Sequence, residues 1–225
     1  MYYLSNIKGV KKFNQGVDMI IHVPDNLVYD KILDKEIKSV EIRLDDGRHI
    51  SNEQRAKIFA TIKDIALYTG DVPEYLRAIL TYNYCAEAGI GHFSLSDCSM
   101  DTARGFINYL IEFILMHNIP LSDLAINRTN DIDAYLYYCL KYRRCSITGT
   151  AGADIHHCTG SRVGMGRDRL KIDHRNLEII ALSREWHNRV HQEGETDIFE
   201  AYKLYGIKGD TNLLERLGLN INEIS

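Results

Sequence analysis

Five of the nine histidines in this 225-residue chain, His156, His157, His174, His187 and His191, lie between Lys141 and His191. His187 and His191 sit in Ser183-Arg-Glu-Trp-His-Asn-Arg-Val-His191, a run that opens on a capping serine and stops at Gly194. That pattern predicts a short helix, and the i, i+4 spacing puts both imidazoles on one face within reach of a single ion. Upstream, a glycine-punctuated stretch from Cys145 leads into His156-His157, which is followed by the Gly/Arg-rich loop Thr159 to Arg169. A helix and a strand together can supply three imidazoles, with His156 as the third. Such a site keeps the open positions that catalytic metals need. Adjacent histidines on a strand point to opposite faces, so one is a ligand and the other is left for chemistry. A neutral imidazole beside a metal-bound phosphate is suited to take a proton from water near neutral pH, while the ion polarises the phosphate and stabilises the leaving oxygen. The reaction class expected is phosphodiester hydrolysis.

The main rival is a structural zinc site, in which all four of His156, His157, His187 and His191 bind and none is left for catalysis. His174 reads as a bystander, and Asp154 is placed equally well to orient a histidine or to touch the ion. The five cysteines form no CxxC pair, and their odd number suits free thiols in a reducing compartment.

The net charge of −4 hides its distribution. Residues 141–191 carry ten Lys and Arg against five Asp and Glu, residues 1–140 fourteen against nineteen, and 192–225 three against seven. Charge and metal-capable side chains coincide, as a phosphate-seeking site requires. Arg162, Arg167, Arg169 and Lys171 are candidate phosphate contacts, although a single surface cation is by default solvated. No apolar run approaches the ~18 residues of a membrane span, and Met1–Asn6 lacks the features of a signal peptide. The expected location is the cytoplasm, with no membrane partner.

Elements positioning these groups can be read from patterning. Strands are expected at Met1–Asn6, Val17–Val23 and Ser39–Leu44, the last closed by Asp45-Asp46-Gly47. Ser51-x-x-Gln54 is a capping box opening a helix that stops at Gly70. Asp71 and Pro73 start a second helix ending near Gly89, Ser99 a third, and a fourth runs from about Asp131 to Tyr142. The stripes Ile58–Ala66 and Phe106–Ile114 are core or dimer seam. The fold class is α+β, with a strand/helix domain over 1–128, a connector helix over 129–142, a small domain carrying the histidine cluster over 143–207 and a C-terminal tail over 208–225.

His156-His157, then His187-x-x-x-His191 and Gly194, resembles the HNH, or ββα-metal, nuclease motif in the His-rich form used by nuclease colicins. The strings Ala153-Asp-Ile-His-His-Cys158, Val163-Gly-Met-Gly-Arg-Asp-Arg169 and Leu182 to His191 are similar to HNH nucleases encoded by phages of Gram-positive bacteria. The resemblance implies that His156, His187 and His191 hold one divalent ion and that His157 is the general base. Imidazole ligands accept several first-row ions, so Zn, Ni, Mn or Mg stay open. The family's central Asn lies nine residues before the first helix histidine. That position is Glu178 here, and the nearest candidate for a catalytic role is Asn176. Thr148, Ser183 and Trp186 stand where cysteine partners of Cys145 would complete a second, structural zinc site.

Arg48 to Ile65 and Phe93 to Thr102, leading into a helix ending at Asn118-Ile-Pro, are similar to the Orf (NinB) recombination proteins of lambdoid phages. This implies a homodimer that binds single-stranded DNA and loads a recombinase onto strands covered by single-strand-binding protein. The acidic balance of 1–140 requires a localised groove, with Arg48, Arg55, Lys57 and Lys63 as candidate contacts. The combined reading is a phage recombination protein acting in the bacterial host. An Orf-like module is joined to a metal-dependent HNH endonuclease that acts on single-stranded, duplex or branched DNA. The alternative is a non-enzymatic mediator whose HNH module is a structural or DNA-contact element.

Overall fold

In the C-terminal part, the four residues Asp154–His157 form a strand, β3, paired antiparallel with Glu178–Leu182, β4. Ile179, Ile180, Ala181 and Leu182 are all fully buried. A strand covered on both faces shows an unbroken apolar run instead of alternation, and here the helix Ile132–Lys141 and the helix Arg184–Glu193 both pack on it. The two-residue strand Ile207–Lys208 adds to the other edge, giving the order β3-β4-β5.

These elements belong to a computed structural model that describes residues 5–23, 25–34, 36–40, 42, 47–161 and 172–221. In chain order, β1 (Asn6–Phe13) and β2 (Gly16–His22) form an antiparallel hairpin, followed by helix α1 (Leu27–Asp34). Helices α2 (Asn52–Thr69), α3 (Pro73–Ala88) and α4 (Met100–His117) follow, then α5 (Ile132–Lys141), α6 (Arg184–Glu193), α7 (Glu195–Tyr202) and α8 (Thr211–Arg216). The mixture of helices and small antiparallel sheets is α+β.

The expected caps are in place. Ser51 and Gln54 complete the capping box of α2, which ends on a left-handed Gly70. Ser99 caps α4, Asp131 caps α5 and Ser183 caps α6. The strand expected at Val17–Val23 is β2. Of the strand expected at Met1–Asn6, residues 1–4 lie outside the described residues and Asn6 begins β1. At Ser39–Leu44 the described residues Ser39, Val40 and Ile42 are not in a strand, and no strand among the described residues pairs with them; Glu41, Arg43, Leu44, Asp45 and Asp46 lie outside the described residues.

The apolar stripes of α2 and α4 face each other inside the subunit. Ile58, Ile62, Ile65, Phe106, Leu110 and Ile114 are buried in one core, where each removes apolar surface from water. That core continues through Tyr135, Leu136, Cys139 and Leu140 of α5 to β4. Two buried arginines tie loops to helices. Arg128 pairs with Asp64 at 3.1 Å, and Arg144 donates from Nε to the Leu115 carbonyl at 2.7 Å. Within 208–225, α8 buries Leu213 and Leu214, so this stretch contributes to the core.

Candidate metal centre

Helix α6 buries Trp186 and Val190, one turn apart. His187 and His191 follow each by one residue, ~100° further round, so the buried face fixes the helix while the imidazoles project beside it. Strand β3 brings His156 up to them. Ring centroids lie 5.0 Å apart for His156–His187, 5.2 Å for His156–His191 and 4.9 Å for His187–His191. One ligand atom from each ring lies within 4.8 Å of the other two. His156 is buried, His187 half-buried and His191 exposed, so the cluster opens to solvent on the His191 side.

The donor set fits a divalent ion. Ligation requires neutral imidazoles. Burial, reinforced by the neighbouring His156 and His191, holds His187 below the ordinary histidine value, which favours the neutral ring. Asp154 Oδ2 stands 3.9 Å from His187 Nδ1 and pairs with Arg184 Nε at 3.1 Å, so this carboxylate is already shared with a cation.

Sequence patterning missed Glu195. Gly194 takes φ +108°, a conformation that L side chains rarely adopt, and turns the chain from α6 into α7. Glu195, the first residue of α7, is thereby returned to β3. Its Oε2 lies 2.9 Å from His156 Nε2, and its two carboxylate oxygens accept from the Thr159 backbone N–H at 2.7 and 3.0 Å. Burial pushes the Glu195 carboxyl up, but the bonds from His156 and Thr159 outweigh it and the net shift is down. In a neutral imidazole the carboxylate-bound nitrogen carries the proton, and the other nitrogen keeps the lone pair an ion needs. The signal that could have found this residue is a carboxylate directly after the glycine that ends the histidine helix.

His157 meets different partners. Its ring lies 5.3 Å from that of His174, centroid to centroid, and its Nε2 is buried. Asn176 is exposed, whereas His174, among the described residues of the β3–β4 connection, packs on His157. The five cysteines are buried free thiols, and burial pushes Cys158, next to the histidine pair, up to about 12.

The basic segment is less available than its charge suggests. Lys141 pairs with Glu112, Arg143 donates to the Ala153 carbonyl, Arg175 pairs with Asp173, Arg184 with Asp154 and Arg189 with Glu193. Arg144 is buried against α4. Arg162, Arg167, Arg169 and Lys171 lie outside the described residues. On the helical side, Arg55 donates to the carbonyls of Leu95 and Ser96, both at 2.9 Å, and Lys57 bonds Thr129 and Asn130. Arg48 lines a groove of ≈ 1030 Å³ whose other charged walls are Glu87, Asp97, Asp101, Arg104, Glu112 and Asp131. Acids outnumber cations there, which disfavours a phosphate backbone.

The model of a family described as "Putative HNHc nuclease" matches residues 25–220. The chain belongs to that family. The match runs through the helices α1–α5 as well as the histidine segment, so the HNHc family covers both parts. No curated protein and no solved structure matches the chain. Among the described residues no helix is long and apolar enough to cross a membrane.

Proposed function

We propose that the chain is a metal-dependent endonuclease that hydrolyses DNA phosphodiester bonds, with His156, His187 and His191 holding one divalent ion. The observation that carries this reading is the convergence of three imidazoles from β3 and α6, in a hairpin-plus-helix unit of a family of nucleases. A divalent ion bound there would polarise the scissile phosphate and stabilise the leaving oxygen. His157 accepts a proton from the attacking water, in keeping with its separation from the three ligands by strand alternation. Glu195 orients His156 through its hydrogen bond. Of the ten cations in 141–191, Arg162, Arg167, Arg169 and Lys171 are the ones left as phosphate contacts in this reading, since the other six have protein partners.

The structural-zinc alternative requires His157 as a fourth ligand, yet the imidazole cluster comprises three residues and His157 packs on His174. The Orf-like reading of 1–128 has less to rest on, since Arg55 is engaged by carbonyls and the Arg48 groove is acidic.

A plasmid-nicking assay with Mg2+, Mn2+, Ni2+ or Zn2+ against EDTA tests the proposal. Cleavage that appears with at least one ion and is abolished by EDTA is the expected result. DNA binding without cleavage under every ion would instead favour the non-enzymatic mediator.

A further inference from the structure

His174 is buried to 1% exposure. Its backbone N–H donates to the Asn220 carbonyl at 3.0 Å, and its Nδ1 lies 3.1 Å from the same oxygen. A carbonyl oxygen can only accept, so the ring proton is on Nδ1. In the neutral ring Nε2 then carries a lone pair. That nitrogen is buried and has no hydrogen-bond partner among the described residues, which is costly for a polar atom shut off from water. The ring packed against it is His157, at 5.3 Å between centroids and a tilt of 49°, and the His157 nitrogen that is buried is also Nε2. The rings are in contact, but at their observed orientations His174 Nε2 makes no hydrogen bond to His157, so forming one requires a ring rotation.

We propose that His174 is the positioning residue for the general base: its Nε2 accepts a hydrogen bond from His157 Nε2–H, which fixes the tautomer and leaves the His157 Nδ1 lone pair for the proton of the attacking water. The C-terminal segment takes part through Asn220, whose carbonyl dictates which nitrogen of His174 is the acceptor. The inference rests on the reading of His157 as the base.

Two substitutions separate positioning from mere packing. Asn carries its amide where Nδ1 sits, so His174→Asn keeps a donor to Asn220 and loses the acceptor toward His157. Gln reaches further, so His174→Gln restores an acceptor near the Nε2 position. Under saturating metal, His174→Asn is expected to cut plasmid ~10–100-fold more slowly, the usual cost of removing an orienting partner, with thermal stability and metal titration close to wild type, and His174→Gln is expected to recover part of the loss. Imidazole 15N spectra of the metal-free protein, with the His157 signals assigned by their absence in His157→Ala, should show one tautomer in wild type and a mixture in His174→Asn. Wild-type cleavage and an unchanged His157 spectrum in His174→Asn would overturn the inference, as would equal losses in both variants accompanied by lowered melting temperatures. If His157→Ala itself cuts at the wild-type rate, the reading of His157 as base fails and takes this inference with it. If His157→Ala is inactive while His174→Asn is not impaired, the role of His174 alone fails.

Discussion

The histidines differ in what surrounds each ring: His156, His187 and His191 face one another, whereas His157 packs on His174. The convergence of His156, His187 and His191 was legible from i, i+4 spacing and a preceding strand, because helix and strand periodicities fix side-chain direction. The contacts of Glu195 with His156 and of His174 with Asn220 were not legible, since the first depends on a turn at Gly194 and the second joins residues 46 apart. Glu195→Gln removes the charge from the bond to His156 and should weaken metal affinity by ~10–100-fold with little loss of fold, as calorimetric titration would register. Acidity should act through His187. Burial holds its folded value below the unfolded one, so the unfolded chain binds more protons and stability falls as pH drops below about 6.5. Glu195 acts in the same sense at lower pH: its carboxyl is depressed in the fold, so its contribution is present above about 4.3 and is lost on stronger acidification. Melting temperatures of metal-free wild type and His187→Asn across this range should converge toward acid, and parallel curves would count against the assignment.

At the scale of elements, capping and apolar periodicity placed α2, α3, α4, α5 and α6: Ser51, Ser99, Asp131 and Ser183 cap α2, α4, α5 and α6, Pro73 opens α3, and left-handed Gly70 and Gly89 close α2 and α3. The short elements α7, α8 and β5 escaped, because two to eight residues carry too little pattern and are held by packing. Gly206, just before β5, shows how tight that packing is. A Cβ there would strike Cys158 Sγ and come within 2.9 Å of Glu178 Cβ, directly behind the His156-His157 strand. Gly206→Ala should therefore destabilise the fold by ~1–3 kcal/mol, in the range of overpacked cores, and reduce metal affinity with it. A chemical-denaturation midpoint equal to wild type would show that the sheet edge yields without cost.

For the molecule as a whole, the α+β class and membership of an HNH nuclease family were readable from the chain, while the way the parts join was not. The stripes that suggested a dimer seam are buried between α2 and α4 of one subunit, so they give no reason to expect self-association. Light scattering at micromolar concentration should return a mass near 25.8 kDa, and twice that mass would revive the Orf-like dimer. Truncation after α5 is not a clean test of DNA binding, because Tyr135 donates to the Ser146 carbonyl at 2.9 Å and the core runs through α5 into β4. Point variants of the full chain avoid that difficulty. The most direct test of the central claim, that one histidine of the adjacent pair binds metal and the other does the chemistry, is calorimetric metal titration combined with plasmid cleavage on His156→Ala and His157→Ala. The account predicts that His156→Ala loses metal affinity, whereas His157→Ala keeps its metal and cleaves ~10²–10⁴-fold more slowly. Wild-type cleavage by His157→Ala, or loss of its metal to the same degree as His156→Ala, would contradict it.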